Sequence, residues 1–237
     1  MNPWYRSSKP MDKATFEKIE SYMCSCMSDS AHDKEHVYRV LGNAMVIAEG
    51  EQPVDYDILL CACLLHDIGR TDQLKNPELC HAQVGADKAC EWLKSQGWAD
   101  DFANAVAGCI RTHRFRKNAP PQSLEAKILF DADKLDVVGA IGIARTMAYQ
   151  GTVGAALYSR TPEGTVSDGR EDTQPSFFQE YHYKLEKLYD RFLTTRGAEL
   201  AKQRQTAAAR FYEDLYHEIL DFDRAGKESL SKLLEEA

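Results

Sequence analysis

A histidine followed by an aspartate, His66-Asp67, closes the apolar run ILLCACLLHDIG. Desolvating an imidazole and a carboxylate without partners costs several kcal/mol, so something must compensate them. Adjacent positions on a helix diverge by roughly 100°, which lets both side chains lean toward one ion lying between them. The ordinary alternative is an imidazole bonded to a carbonyl, beside an aspartate that caps a neighbouring helix. Two further apolar segments weigh against it: Asp131, Asp133 and Asp136 interrupt one, and His36 interrupts the other. Three enclosed helices thus each bring potential ligands to the interior. Nitrogen and oxygen donors of this kind suit Mn, Fe, Co, Ni, Zn or Mg rather than a thiolate zinc cage. Spacing does not choose between Asp133 and Asp136, which share a helix face at i and i+3. His32-Asp33 is a second such dipeptide, but it sits in a polar turn before a helix, where Asp33 reads as an N-cap.

The elements that must position these side chains are helical. An amphipathic helix is predicted from about Asp12 to Ser28, and the next starts near Asp33, with Val37, Val40, Ala44 and Ile47 at three- and four-residue steps. The run from Asp57 to Ile68 is apolar almost all round, as in a helix enclosed by its neighbours. Gly69 ends it, TDQLKNPELC connects, and helices follow from about His81 to Gln96 and Asp100 to His113. RFRKNAPPQS is a loop, and Leu124 to Tyr149 reads as a second enclosed helix. Residues 150 to about 176 are rich in Gly, Thr, Ser, Asp and Pro, and a loop of that length suggests a lid. Beyond it come two long amphipathic helices, together about 176–225, and a charged tail. The expectation is an all-α chain forming a single domain over 1–237, without repeats or strand-like alternation.

A net charge of -8 argues against a nucleic-acid polymer as partner, because such binding relies on clustered cations, although a small phosphorylated ligand answers to the local field of a cleft. The 7 cysteines are odd in number and several lie in apolar runs, so they read as reduced core thiols. No stretch has the length of a membrane span, and MNPWYRSSKPMDK lacks the apolar segment of a signal peptide, so a cytoplasmic protein without a membrane partner is expected. An oligomer is compatible with all of this.

His36-Val-Tyr-Arg39-Val40, His66-Asp67-Ile-Gly69-Arg70 and Asp131-Ala-Asp133-Lys134-Leu135-Asp136 are similar in order and spacing to the H, HD and D motifs of HD-domain phosphohydrolases. The chain resembles most a bacterial subgroup that includes nucleotide pyrophosphohydrolases, through His113-Arg-Phe-Arg116 and DADKLDVVGAIGIAR; the late segment HYKLEKL matches only approximately. The resemblance spans roughly residues 30 to 215 and implies a helical HD-domain bundle, its motif core at about 30–150, with a long loop and a C-terminal helical hairpin.

Carried over residue by residue, the resemblance implies His36, His66, Asp67 and Asp133 as ligands of a divalent ion. It implies Asp67, His81, His113 and Lys134 as catalytic, with His81 and His113 orienting the leaving group or joining Asp67 on a second ion. Arg39, Arg70, Arg116 and Lys134 would bind substrate phosphate, the arginines as bidentate clamps and the lysine as a point charge. His182 and Lys184 read rather as packing residues. The implied activity is hydrolysis of nucleoside triphosphates to monophosphate and pyrophosphate. The alternatives are a 5'-nucleotidase, a cyclic-nucleotide phosphodiesterase, or a non-catalytic nucleotide sensor.

Overall fold

The computed structural model describes residues 11–27, 34–114 and 120–235. Ten α-helices follow one another among them: α1 Lys13–Cys26, α2 Lys34–Ala48, α3 Tyr56–Leu65, α4 Arg70–Lys75, α5 His81–Ser95, α6 Asp100–Thr112, α7 Leu124–Leu135, α8 Gly139–Val153, α9 Phe177–Tyr183 and α10 Thr195–Glu235. The fold is all-α, as the sequence implies. Side chains open several helices at their N-terminal ends. Asp12 accepts from the Thr15 N–H, Asp55 from the Asp57 and Ile58 N–H groups, and Ser123 from the Ala126 N–H.

The chain divides into two compact units, the first taking in the chain up to Asp136 together with Phe192–Ala198, the second Val137–Arg191 and Glu199–Ala237. In the first unit α3 packs against α2, α6 and α7 and also touches α1 and α5. That explains its apolar circumference: Leu59, Cys61, Ala62, Cys63, Leu64 and Leu65 are all fully buried. Each leucine so buried contributes about 2 kcal/mol.

In the second unit α9 packs beside α8, and the long loop carries two isolated bridges, Ala156 with Ser176 and Arg160 with Val166. Tyr212 of α10 stacks on Tyr181 of α9 with ring centroids 4.3 Å apart, and its hydroxyl donates to the Asp168 carbonyl at 2.7 Å.

Three stretches differ from the sequence reading. The apolar segment 124–149 is two helices, because Gly139 adopts φ +67, and a Cβ there would stand 2.7 Å from Arg204 Cβ, so only glycine fits the break. The connection after Gly69 contains α4. The C-terminal region has one long helix in place of two: α9 spans 7 residues, 3-10 turns follow at Leu185–Lys187 and Tyr189–Arg191, and α10 runs for 41 residues through the segment read as a charged tail.

Candidate metal centre

His66 and Asp67 lie just past the last residue of α3, where the chain keeps helical dihedrals at His66 (φ -61, ψ -32) before turning into α4. Gly69 makes that turn possible: a Cβ there would meet the His81 carbonyl oxygen at 2.3 Å and the Gly85 nitrogen at 2.6 Å. The close approach brings the start of α5, with His81, against the His-Asp pair. α2 supplies His36, the end of α6 supplies His113, and α7 supplies Asp133.

These side chains converge. His36 Nε2 and His66 Nε2 stand 3.3 Å apart, and Asp67 Oδ2 is 3.6 Å from each. Asp133 Oδ1 lies 3.3 Å from His36 Nε2. On the other side of Asp67, Oδ1 is 3.5 Å from His81 Nε2 and 3.7 Å from His113 Nε2. Two trios, His36-His66-Asp67 and Asp67-His81-His113, each have one donor atom per residue within 4.8 Å of the others, and Asp67 belongs to both. His66, His81 and His113 are fully buried, and His36 and Asp67 nearly so.

The far ring nitrogens fix the tautomers. His66 Nδ1 donates to the Cys63 carbonyl at 2.8 Å, His113 Nδ1 to the Ile110 carbonyl at 2.6 Å, His81 Nδ1 to Gln73 Oε1 at 2.6 Å and His36 Nδ1 to Asp136 Oδ2 at 2.7 Å. All four Nε2 atoms therefore turn inward as lone pairs when the rings are neutral. His81 Nε2, His113 Nε2 and Asp67 Oδ1 have no hydrogen-bond partner among the described residues. Buried polar atoms left this way are costly, and a set of lone pairs facing carboxylates is compensated by a cation. Donors at these positions fit a divalent metal ion.

The electrostatics agree. Burial pushes the His36 imidazole down, but its hydrogen bonds to Asp133 and Asp136 and the charges of Asp133 and Asp67 together outweigh burial and raise it to about 9. Without a metal, a proton on His36 takes the cation's place. Burial alone would raise Asp67, yet the charges of His66, Arg70, His113 and His36 hold it well below the usual carboxylate range. Asp133 is likewise held low against the effect of burial, chiefly by His36. His81 is pushed down to about 3 by burial and then by Arg70, and His113 to about 4 by burial and then by His66. Both are neutral at neutral pH, the state that donates a lone pair to a metal.

The three aspartates of the DADKLD segment have three different settings. Asp133 faces His36. Asp136, which the spacing could not separate from it, sits behind the imidazole, accepting from His36 Nδ1 and from Arg39 Nε (2.7 Å) and Nη2 (3.2 Å). Asp131 is fully buried and is no part of the cluster: its carboxylate accepts from the Leu193 N–H (2.9 Å) and from the Thr194 N–H and hydroxyl (both 2.7 Å), holding the strand of chain that enters α10. Burial raises its pKa, and those hydrogen bonds oppose the rise.

Of the proposed phosphate ligands, Arg70 places Nε 3.0 Å from Asp67 Oδ1 without the alignment of a hydrogen bond, its side chain 30% exposed. Arg39 lies on Asp136 with its side chain 31% exposed. Lys134 is largely buried, its Nζ 3.7 Å from the centre of the Phe130 ring. Arg116 and the alternative dipeptide His32-Asp33 fall outside the described residues. Sequence reasoning missed the partners that orient the histidines. Asp136 had a signal, its place one turn beyond Asp133, whereas Gln73, brought to His81 across a turn, had none.

Comparison with known proteins agrees with this geometry. Residues 34–138 match the model of the HD domain. The chain is 31% identical over 213 residues to the protein YpgQ of Bacillus subtilis (strain 168), covering 87% of this chain and 95% of YpgQ. Its structure is similar to that of YpgQ in complex with ADP (TM-score 0.67, 27% identity, 86% of this chain and 97% of the other). It is equally similar to an HD-superfamily hydrolase from Bacillus thuringiensis (TM-score 0.67, 30% identity, 86% and 96%). The segment from His36 to Asp136, with its buried His and Asp donors, thus marks the chain as a member of the HD-domain superfamily of hydrolases.

Proposed function

We propose that the chain is a divalent-metal-dependent nucleotide phosphohydrolase that cleaves nucleoside triphosphates to a monophosphate and pyrophosphate. The observation that carries the reading is the pair of buried trios, whose inward lone pairs are suited to holding a cation. The nucleotide rests on a relative, since YpgQ has been crystallised with ADP.

His36, His66, Asp67 and Asp133 would hold the ion, with Mn, Fe, Co, Ni, Zn or Mg all compatible with two imidazoles and two carboxylates. When bound, such an ion lowers the pKa of water and polarises a phosphoryl oxygen. His81 and His113 present unprotonated nitrogens beside Asp67, placed to take up the proton released as water attacks phosphorus. Lys134 and the arginines at 39 and 70 offset the phosphate charge. Of these, Arg70 stands against the trios, its Nε 3.0 Å from Asp67 Oδ1.

The test is a nucleotide panel assayed with metal-loaded protein, measuring pyrophosphate and orthophosphate separately. Equimolar pyrophosphate and nucleoside monophosphate from triphosphates is the expected result. Orthophosphate released from monophosphates alone would instead make the chain a nucleotidase. Tight nucleotide binding without turnover of any phosphoester would make it a sensor.

A further inference from the structure

His81 has two neighbours able to take its ring proton. A neutral imidazole carries one proton, on Nδ1 or on Nε2. Nδ1 lies 2.6 Å from Gln73 Oε1, and Nε2 lies 3.5 Å from Asp67 Oδ1. Charge alone favours the second site, because an ionised carboxylate is a stronger acceptor than an amide. Distance favours the first: 2.6 Å is a short hydrogen bond, whereas 3.5 Å is too long for a strong one. Neither His81 Nε2 nor Asp67 Oδ1 has a hydrogen-bond partner among the described residues. The same carboxylate oxygen already faces Arg70 Nε at 3.0 Å, which lessens its pull on a proton. His113, on the same side of Asp67, has its Nδ1 on a backbone carbonyl, the Ile110 oxygen at 2.6 Å, so no side chain sets its tautomer. For His81 a side chain does.

The fold holds both ends of that hydrogen bond. Gln73 sits on α4, a helix of 6 residues that is tied to its surroundings along its length. The Thr71 hydroxyl donates to the Cys26 carbonyl at 3.0 Å, Lys88 Nζ donates to Asp72 Oδ2 at 2.9 Å and to the Ile68 carbonyl at 3.4 Å, and the Gln73 N–H donates to the Gly69 carbonyl at 3.2 Å. His81 opens α5, its carbonyl packed on Gly69 and its side chain fully buried. An amide suits the position, since its oxygen takes the Nδ1 proton without setting a second negative charge near Asp67. We infer that Gln73 is a positioning residue, which keeps the proton of His81 on Nδ1 so that Nε2 faces Asp67 as a lone pair. The value of that lone pair rests on the hydrolytic reading, in which it receives a proton from the attacking water, but the tautomer itself needs no metal.

The test records the ring ¹⁵N resonances of the histidines by NMR, on the full chain in EDTA at neutral pH, with His81 assigned by the signal lost in His81→Gln. The bare nitrogen of a neutral ring resonates far from the protonated one, so the spectrum reads the tautomer directly. In the parent the His81 proton is expected on Nδ1. Gln73→Leu removes the acceptor at similar volume and is expected to move the proton to Nε2, toward Asp67. Gln73→Glu restores an acceptor at the same reach and is expected to keep Nδ1 protonated. A residue that only packs α4 against α5 would leave the tautomer the same in all three proteins. Gln73→Met, of similar length and without a comparable acceptor, replaces Gln73→Leu should that variant fail to fold. With Mn²⁺ and a nucleoside triphosphate, Gln73→Leu is expected to lose about tenfold in kcat with KM within about twofold of the parent. A parent that carries the proton on Nε2, or a spectrum of Gln73→Leu and Gln73→Met unchanged from the parent, would overturn the assignment, and so would a kcat unchanged in an active enzyme. A parent that gives the expected spectra but hydrolyses no nucleotide would refute the hydrolytic reading and leave the role of Gln73 in place.

Discussion

Replacing Asp136 by asparagine keeps the side-chain volume and removes the charge that steadies His36 from behind. Asp136 is 1% exposed and accepts three hydrogen bonds, from His36 Nδ1 at 2.7 Å and from Arg39 at 2.7 and 3.2 Å. An amide has one oxygen to offer: with it on the Oδ1 side His36 Nδ1 faces an NH2 group, with it on the Oδ2 side Arg39 Nε does, and in either case His36 no longer donates to a carboxylate. Loss of such an orienting group behind a metal-bound imidazole costs about 10- to 100-fold in metal affinity. That is about 1.4 to 2.7 kcal/mol. Asp133→Asn removes a proposed ligand itself and should cost more than Asp136→Asn. Calorimetric titration of Mn²⁺ into the two variants and the parent, with far-UV circular dichroism to establish that the helices persist, measures both. Should Asp136→Asn bind the ion as tightly as the parent, or more weakly than Asp133→Asn, the division of labour between the two carboxylates is wrong.

Asp131→Ala should destabilise the protein by about 3 kcal/mol, because it strands the buried N–H and hydroxyl of Thr194 and removes the partner of the Leu193 N–H, and should leave Mn²⁺ affinity near that of the parent. Chemical denaturation beside metal titration checks it, and a large loss of affinity would place Asp131 in the metal site. In EDTA, thermal stability is predicted to peak near pH 6.5. His36, raised to about 9 from an ordinary 6.5, contributes stability that is complete below 6.5 and lost as pH rises through 9. His81 and His113, lowered to about 3 and about 4, contribute stability that is complete above 6.5 and lost as pH falls toward those values. Melting temperatures that rise steadily from pH 6.5 to 9 would contradict the charge state assigned to His36. Burial pushes the Cys61 and Cys63 thiols up and Cys109 to about 12, so a thiol reagent at pH 8 should label the half-buried Cys24, Cys26, Cys80 and Cys90 first. Labelling of Cys63 at the rate of Cys90 in folded protein would show that α3 is not enclosed.

The sequence displayed the candidate metal centre wherever a polar residue interrupted an apolar run, because burial without compensation is visible as a cost before any coordinates exist. His66-Asp67 and the three aspartates of the DADKLD segment stood out on that ground, the choice of Asp133 among them came from the family resemblance, and the geometry brings His66, Asp67 and Asp133 within reach of His36. The same ground misled at Asp131, which is equally buried but compensated by backbone N–H groups 62 and 63 residues away, a pairing that no local pattern encodes. The helix break at residues 136–139 was hidden for a related reason. The left-handed turn at Gly139 is fixed by the approach of Arg204, so a glycine that reads as tolerated within an apolar helix is in fact its boundary. The motif pair His66-Asp67 was placed inside a helix and lies in the turn after it, where a direct link to α5 through Gly69 brings His81 into the site. Lengths of the C-terminal helices depended on where aromatic side chains such as Tyr181 and Tyr212 find partners, which periodicity does not report.

The most direct test is anomalous X-ray diffraction from crystals of the protein soaked with Zn²⁺ or Mn²⁺ and recorded on either side of the metal edge. A peak is expected within roughly 2.1 Å of both His36 Nε2 and His66 Nε2, with carboxylate oxygens of Asp67 and Asp133 completing the set. A metal that settles elsewhere, or a cluster that stays free of anomalous signal at saturating metal, would contradict the account at its centre.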